Sequence, residues 1–185
     1  VGSGLSASDS KVIDAHGKGR RRAVLHARRG THNVLEVGFA APRAHHIVAI
    51  DACPVLAPEL AGAVTAAWAI AEALKVTEKP LDIHVTAADN GLDVDVRGSG
   101  ALKPDQIAAL ARIADAHGLA RLTRHGELVT QRAQPLLTVG RAQVPLPPGS
   151  FLQATAEGEA TLARLVIEHV GKGRRVADLF AGIGT

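Results

Sequence analysis

Two alternating runs, LDIHVTAA (81–88) and LDVDVRG (92–98), flank the triplet Asp89-Asn90-Gly91. Asn-Gly supplies the positive φ angles of a tight two-residue turn, so the runs must pair as an antiparallel hairpin. Side chains alternate across a strand, which puts Leu81, Ile83 and Val85 on one face and Leu92, Val94 and Val96 on the matching one. Such a hairpin has one apolar face, and that face needs a cover. Two helical patterns supply it: LAGAVTAAWAIAEAL, expected as a helix over 58–75 behind Pro54 and Pro58, and KPDQIAALARIADAHG, which starts at a proline and an acid and stops at Gly118. The second should present Ile107, Leu110, Ile113 and Ala114 on one side.

The same chemistry repeats on either side. RRAVLHARR, NVLEVGFA and HHIVAI are short β-type runs broken by Gly, Thr, Asn and Pro, giving strands at about 21–29, 33–40 and 45–50. LARLTRHGELVTQ reads as a second hairpin turning at His125-Gly126, and PLLTVGRAQVPLP as a further strand pair. Strands and helices in this order predict an α+β domain over 17–148, an antiparallel sheet with helices on one side, after a mobile tail at 1–16. Beyond PPGS the period changes. Leu162, Leu165, Val166 and Val170 recur at helical spacing up to Gly171, and VADLF is apolar in the manner of a strand buried in a parallel sheet. A helix feeding such a strand and a glycine turn is how an α/β cofactor domain opens, so 149–185 is expected to be the start of a second unit. That ending should be poorly ordered, or pack on the central domain or a neighbouring chain.

At 185 residues and 46% apolar, the chain has enough material for one ordinary core, and no run approaches the roughly 18 apolar residues of a membrane span. The single cysteine excludes a disulfide scaffold and favours a reducing, cytoplasmic setting. The start at Val1, with no methionine anywhere, and the polar opening GSGLSASDS carry no secretory signal and suggest that the chain is not an intact translation product. Charge is uneven. Residues 1–46 hold eight Lys/Arg against three Asp/Glu, and the remainder thirteen against fifteen. The run Lys18, Arg20, Arg21, Arg22, Arg28 and Arg29, with Arg43, His45 and His46 nearby, suits phosphate contact. Alternation puts Arg20 and Arg22 on one side and Arg21 on the other. The competing reading is a solvated edge that discourages strand pairing. With 2% aromatics, extended base stacking is poorly supported. His84, His117 and His125 lack metal-ligand spacing and are expected at the surface or in turns. Asp93 and Asp95 are expected on a solvated strand face.

The pair PGSFLQAT (148–155) and VADLFAGIGT (176–185), with a helix between, resembles the RNA (uracil-5-)-methyltransferase family, as do HHIVAIDACPVLAP and the basic GKGRRRAVLHAR. The resemblance runs from Gly17 to Thr185. It implies a Rossmann-like methyltransferase domain beginning near 149, S-adenosylmethionine as cofactor, and methyl transfer to C5 of a uridine. Gln153 of the F-x-Q element, Phe180, Gly182, Gly184 and Thr185 would contact or shape the cofactor site. Arg20, Arg21, Arg22 and Arg28 would meet RNA, with ribosomal RNA favoured over transfer RNA and no membrane partner. In members with a [4Fe–4S] cluster, a cysteine placed like Cys53 is the fourth ligand, and three more would precede Val1. The nucleophilic cysteine that adds to uracil C6, and the base that removes the C5 proton, would lie beyond Thr185, so this chain is expected to be inactive alone. Ala181 stands where a cysteine is frequent, and Thr155 where asparagine often follows the F-x-Q element. Two other readings are a non-catalytic RNA-binding module and a class I methyltransferase with a different acceptor.

Overall fold

The computed structural model describes residues 12–14, 18–43, 46–76, 79–173, 175–179 and 182–183. Most of the expected tail, His45, Phe180, Gly184 and Thr185 lie outside them. Seven strands form one sheet: β1 (Arg22–Arg29), β2 (Leu35–Ala40), β3 (Ile47–Ala49), β4 (Leu81–Ala88), β5 (Gly91–Arg97), β6 (Leu119–Arg124) and β7 (Glu127–Gln131). Their spatial order is β3-β2-β1-β4-β5-β6-β7. The expected β4–β5 hairpin forms with Ala88 opposite Gly91. Gly91 has φ +136, and a Cβ there would sit 2.8 Å from the Gly118 carbonyl oxygen, so turn and crossover meet where only glycine fits.

The sheet departs from the expected antiparallel arrangement at one pair, β5–β6, which is parallel. The cause is helix α2 (Pro104–Ala116), which carries the chain back along the sheet so that β6 starts beside the start of β5. Helix α1 (Ala63–Ala73) follows a 3-10 turn at Pro58–Leu60, and a break at Ala61-Gly62 divides the single helix expected over 58–75. Both helices pack on one face of the sheet. The core between them is aliphatic and small, built from Leu25, Ala27, Val37, Ala67, Ile70, Ile83, Val94, Leu110 and Leu122, each at most 1% exposed. Ile107 is 42% exposed and lies outside it, while Ile113 packs on its edge.

The second strand pair, β8 (Leu136–Val139) and β9 (Ala142–Pro145), makes a separate two-stranded sheet. It docks on the first hairpin's turn: the Asp89 carboxylate accepts from the Thr138 amide (2.7 Å) and hydroxyl (2.6 Å), and the Asn90 side chain donates to the Gln134 carbonyl (2.7 Å) and accepts from the Leu136 amide (3.1 Å). A small cluster of Ala88, Leu137, Leu146 and Leu152 fills the junction, with Ile183 against it. Helix α3 (Ala156–Val170) buries none of its residues, and Leu162, Val166 and Ile167 are exposed. Residues 175–179 form no strand, contrary to the expectation for VADLF, and Val176 and Leu179 are exposed. A strand exists only by backbone pairing, and among the described residues no strand lies alongside this segment.

Candidate functional site

Three segments far apart in sequence meet at Arg20 and Arg21. The Arg20 amide donates to the Val55 carbonyl (2.9 Å), and its carbonyl accepts from the Ala57 amide (2.8 Å). The Arg21 amide donates to the Ala154 carbonyl (2.9 Å), and its carbonyl accepts from the Ala87 amide (2.8 Å). The basic entry to β1 is thereby stitched to the CPVL segment on one side and to GSFLQAT on the other. Alternation then sorts the arginines, as the sequence pattern requires.

Arg21 turns inward and is 8% exposed. Its guanidinium pairs with Glu159 on α3, and its Nε donates to the Gln153 carbonyl (3.1 Å). Its charge is therefore committed to holding the F-x-Q segment and α3 on the sheet. Thr155 caps α3, its hydroxyl accepting from the Gly158 amide (3.0 Å). Asparagine caps helices as well as threonine does, so this departure from the common family pattern keeps the same local function. Arg28, also expected at an RNA surface, lies on the helix-free face and pairs with Glu36 (3.1 Å).

Arg20 and Arg22 face a cleft of about 620 Å³ on the helix-free side. Its wall is the Gly149-Ser150-Phe151 loop, and its floor includes His84, Thr86 and Arg97 from β4 and β5. The Arg22 guanidinium lies 4.4 Å from the centre of the Phe151 ring. Phe151 is 63% exposed, so it is a platform rather than a core residue. No acidic side chain lines the cleft among the described residues.

The acids of β5 explain this. Asp93 takes a bidentate pair from Arg121 (2.8 and 2.7 Å). Asp95, 5% exposed, accepts from Arg97 Nε (2.8 Å), the Thr123 hydroxyl (2.8 Å) and the Gly126 amide (2.9 Å). Burial pushes its carboxyl up, but these donors outweigh burial and hold it below the usual carboxylate range. Both acids thus depart from the solvated face expected of them: they are consumed by internal pairs. Burial and, secondarily, Arg97 hold the His84 imidazole below its usual range against the opposing pull of Asp95 and Asp82. Sequence spacing singled out neither His84 nor Arg97 for this site, because only strand register brings them to the floor of the cleft. The in-line pairing of His84 with Asp95 across β4–β5 was the available signal.

Of the expected cofactor residues, Gln153 is half-buried on the segment held by Arg21, and Gly182 adopts φ +57 with open space about it. Ile183 packs on the cluster containing Leu152, which brings the glycine turn beside the F-x-Q element. Cys53 is half-buried and its carbonyl accepts from the Leu56 amide (3.2 Å). No group of three or more His, Cys, Asp or Glu is arranged for a metal among the described residues, so the residues present do not fit a four-thiolate cluster. No described helix is long and apolar enough to cross a membrane.

No protein-family model matches the sequence. Curated relatives do. An uncharacterized RNA methyltransferase of Brucella suis is 39% identical over 184 residues, covering 100% of this chain and 44% of its own length. Another, from Caulobacter vibrioides, is 39% identical over 90% of this chain and 41% of its own length. A 23S rRNA (uracil(1939)-C(5))-methyltransferase of Shewanella frigidimarina is 29% identical over 81% of this chain and 36% of its own. The crystal structure of Pyrococcus abyssi tRNA (uracil-54, C5)-methyltransferase in complex with S-adenosyl-L-homocysteine superposes with a TM-score of 0.66 over 92% of this chain and 45% of that one, at 16% identity, a likeness of fold. The chain spans less than half the length of the relatives it matches. By sequence along its whole length, and by fold, it is related to the RNA methyltransferases, uracil-C5 methyltransferases among them.

Proposed function

We propose that this chain is the RNA-holding portion, and the beginning of the cofactor site, of an enzyme that methylates C5 of a uridine in RNA using S-adenosylmethionine. The observation that carries this reading is the junction at Arg20–Arg21. There the CPVL and F-x-Q segments, two of those that carry the family resemblance, are both joined to the basic start of β1 by main-chain hydrogen bonds, beside a basic cleft that no acidic side chain lines among the described residues. Arg20 and Arg22 attract the phosphate backbone, and the Arg22–Phe151 pair offers a flat surface to a base. Arg21 anchors the main chain of Gln153 through its carbonyl. Gln153 and the Gly182 turn, adjacent through Leu152 and Ile183, would hold the cofactor from one side, with Phe180, Gly184 and Thr185 as further contacts. When bound, that cofactor supplies an electrophilic methyl group. The thiolate and base that activate the uracil ring would come from outside residues 1–185, so the chain alone orients RNA without turning it over.

The test is nucleoside analysis of uridine-containing ribosomal and transfer RNA after incubation with S-adenosylmethionine and the protein of the complete reading frame. Appearance of 5-methyluridine is expected, with none formed by the 185-residue chain. Methylation at any other atom, or turnover by the 185-residue chain, would contradict the reading.

A further inference from the structure

Arg97 and His84 belong to no motif that the family resemblance picked out, yet both line the same cleft as Arg20 and Arg22. Arg97 sits at the end of β5, its side chain 47% exposed. It is aimed by Asp95, which occupies only the Nε edge of the guanidinium, and Asp95 is itself fixed by Thr123 and the Gly126 amide. Those two neutral donors share the carboxylate, so Asp95 serves as a rigid bracket for Arg97. The Nη2 end of Arg97 reaches the Gly149 turn: a Cβ on Gly149, which has φ +71, would stand 3.2 Å from it. The loop bearing Phe151 therefore bends closely over the Arg97 guanidinium. Across β4, His84 adds a second nitrogen donor, and Thr86 a hydroxyl. Three guanidinium groups and an imidazole thus converge on an open cleft in which the nearest carboxylates are already satisfied, an arrangement suited to an anion.

We infer that Arg97, oriented by Asp95 and assisted by His84, forms a phosphodiester subsite that takes the backbone of a single RNA strand across the helix-free face, next to the Arg22–Phe151 platform. The inference rests on the RNA reading above and adds a second, independent anchor to it. It also gives β5 a function beyond the fold, since its alternate residues cover the core on one face and build the bracket on the other.

The experiment is fluorescence-anisotropy titration of a short uridine-rich RNA with the 185-residue chain over a series of salt concentrations. Arg97→Gln keeps a hydrogen-bond donor to Asp95 but removes the charge. It should weaken binding about tenfold and reduce the slope of log affinity against log salt by ~0.7, the value for one phosphate of a single strand. Ser150→Glu, on the half-buried loop residue that lines the cleft, introduces a carboxylate without altering the bracket residues and should weaken binding by a similar factor. Arg164→Gln, at an exposed α3 residue that does not line the cleft, should leave affinity and slope unchanged. Tryptophan fluorescence of each variant verifies folding. Wild-type affinity and slope in both Arg97→Gln and Ser150→Glu would overturn the subsite while leaving the RNA reading in place. Absence of RNA binding by the unsubstituted chain would overturn both. Uridine monophosphate or inorganic phosphate competing as tightly as the strand would show a free-anion site and overturn the strand assignment.

Discussion

Arg21→Met tests the junction on which the site is built. The Arg21 and Glu159 side chains are 10% and 16% exposed, and Arg21 also donates to the Gln153 carbonyl. Removing one partner of a buried ion pair costs about 3–5 kcal/mol, because the other charge stays buried and unpaired. Water reaches this pair to a small degree, which relaxes part of that penalty, so the lower end applies, about 3 kcal/mol. With an m-value of about 2 kcal/mol/M in urea, the unfolding midpoint should fall by about 1.5 M. The chain has one tryptophan and no tyrosine, and Trp68 donates from Nε1 to the Ile50 carbonyl (3.1 Å), so its emission reports unfolding of the core. Replacing both partners, Arg21→Met with Glu159→Leu, removes the stranded charge and should recover at least half of the loss. A midpoint shift below about 0.3 M for Arg21→Met, or single-variant costs that simply add in the double variant, would refute the claim that this pair holds α3 and the F-x-Q segment to the sheet.

Gly38→Ala would put a Cβ 1.9 Å from the Val48 carbonyl oxygen, forcing edge strand β3 away from β2; a loss of about 1–3 kcal/mol is expected, with Trp68 emission altered already in the native state because Ile50 follows β3. Phe151→Ala should change stability by no more than about 0.5 kcal/mol in urea unfolding, since the ring is 63% exposed, yet weaken RNA binding about tenfold through loss of the platform for a base. Stability should fall with acid in two stages, followed by circular dichroism. His84, with its pKa lowered in the fold, must charge against burial, so stability is lost as pH drops below about 6.5, a stage that His84→Gln should flatten. Asp95, also with a lowered pKa, contributes stability that is complete above its unfolded value and lost as pH falls through its folded one, a lower-pH stage that Asp95→Asn should remove.

The elements were legible where local chemistry decides them. Asn90-Gly91 and His125-Gly126 made their turns, and the alternation of Leu81, Ile83, Val85 and of Leu92, Val94, Val96 gave the buried face. Parallel β5–β6 pairing was not legible, because the hairpin and helix signals are identical whether the returning strand lands parallel or antiparallel to its neighbour. The burial of Arg21, Asp93 and Asp95 escaped for a related reason. Composition marks a charge as solvated, and only long-range register shows that each faces an opposite charge, Asp93 beside Arg121 and Arg21 beside α3. Asp89 and Asn90 read as turn formers alone, yet they also hold the β8–β9 hairpin through four hydrogen bonds to residues more than forty positions away. The cleft was half visible: the pattern separated Arg20 and Arg22 from Arg21, while His84 and Arg97 joined them through strand pairing that no local motif records.

The proposed RNA site is the helix-free cleft. Photo-crosslinking the 185-residue chain to a short RNA carrying 4-thiouridine, followed by mass spectrometry of the linked peptides, addresses it directly. Crosslinks are expected within 20–24 and 149–154, centred on Phe151, and should be lost in Phe151→Ala. Crosslinks confined to α1 or α2 on the covered face of the sheet, or none at RNA concentrations that saturate binding, would contradict this assignment.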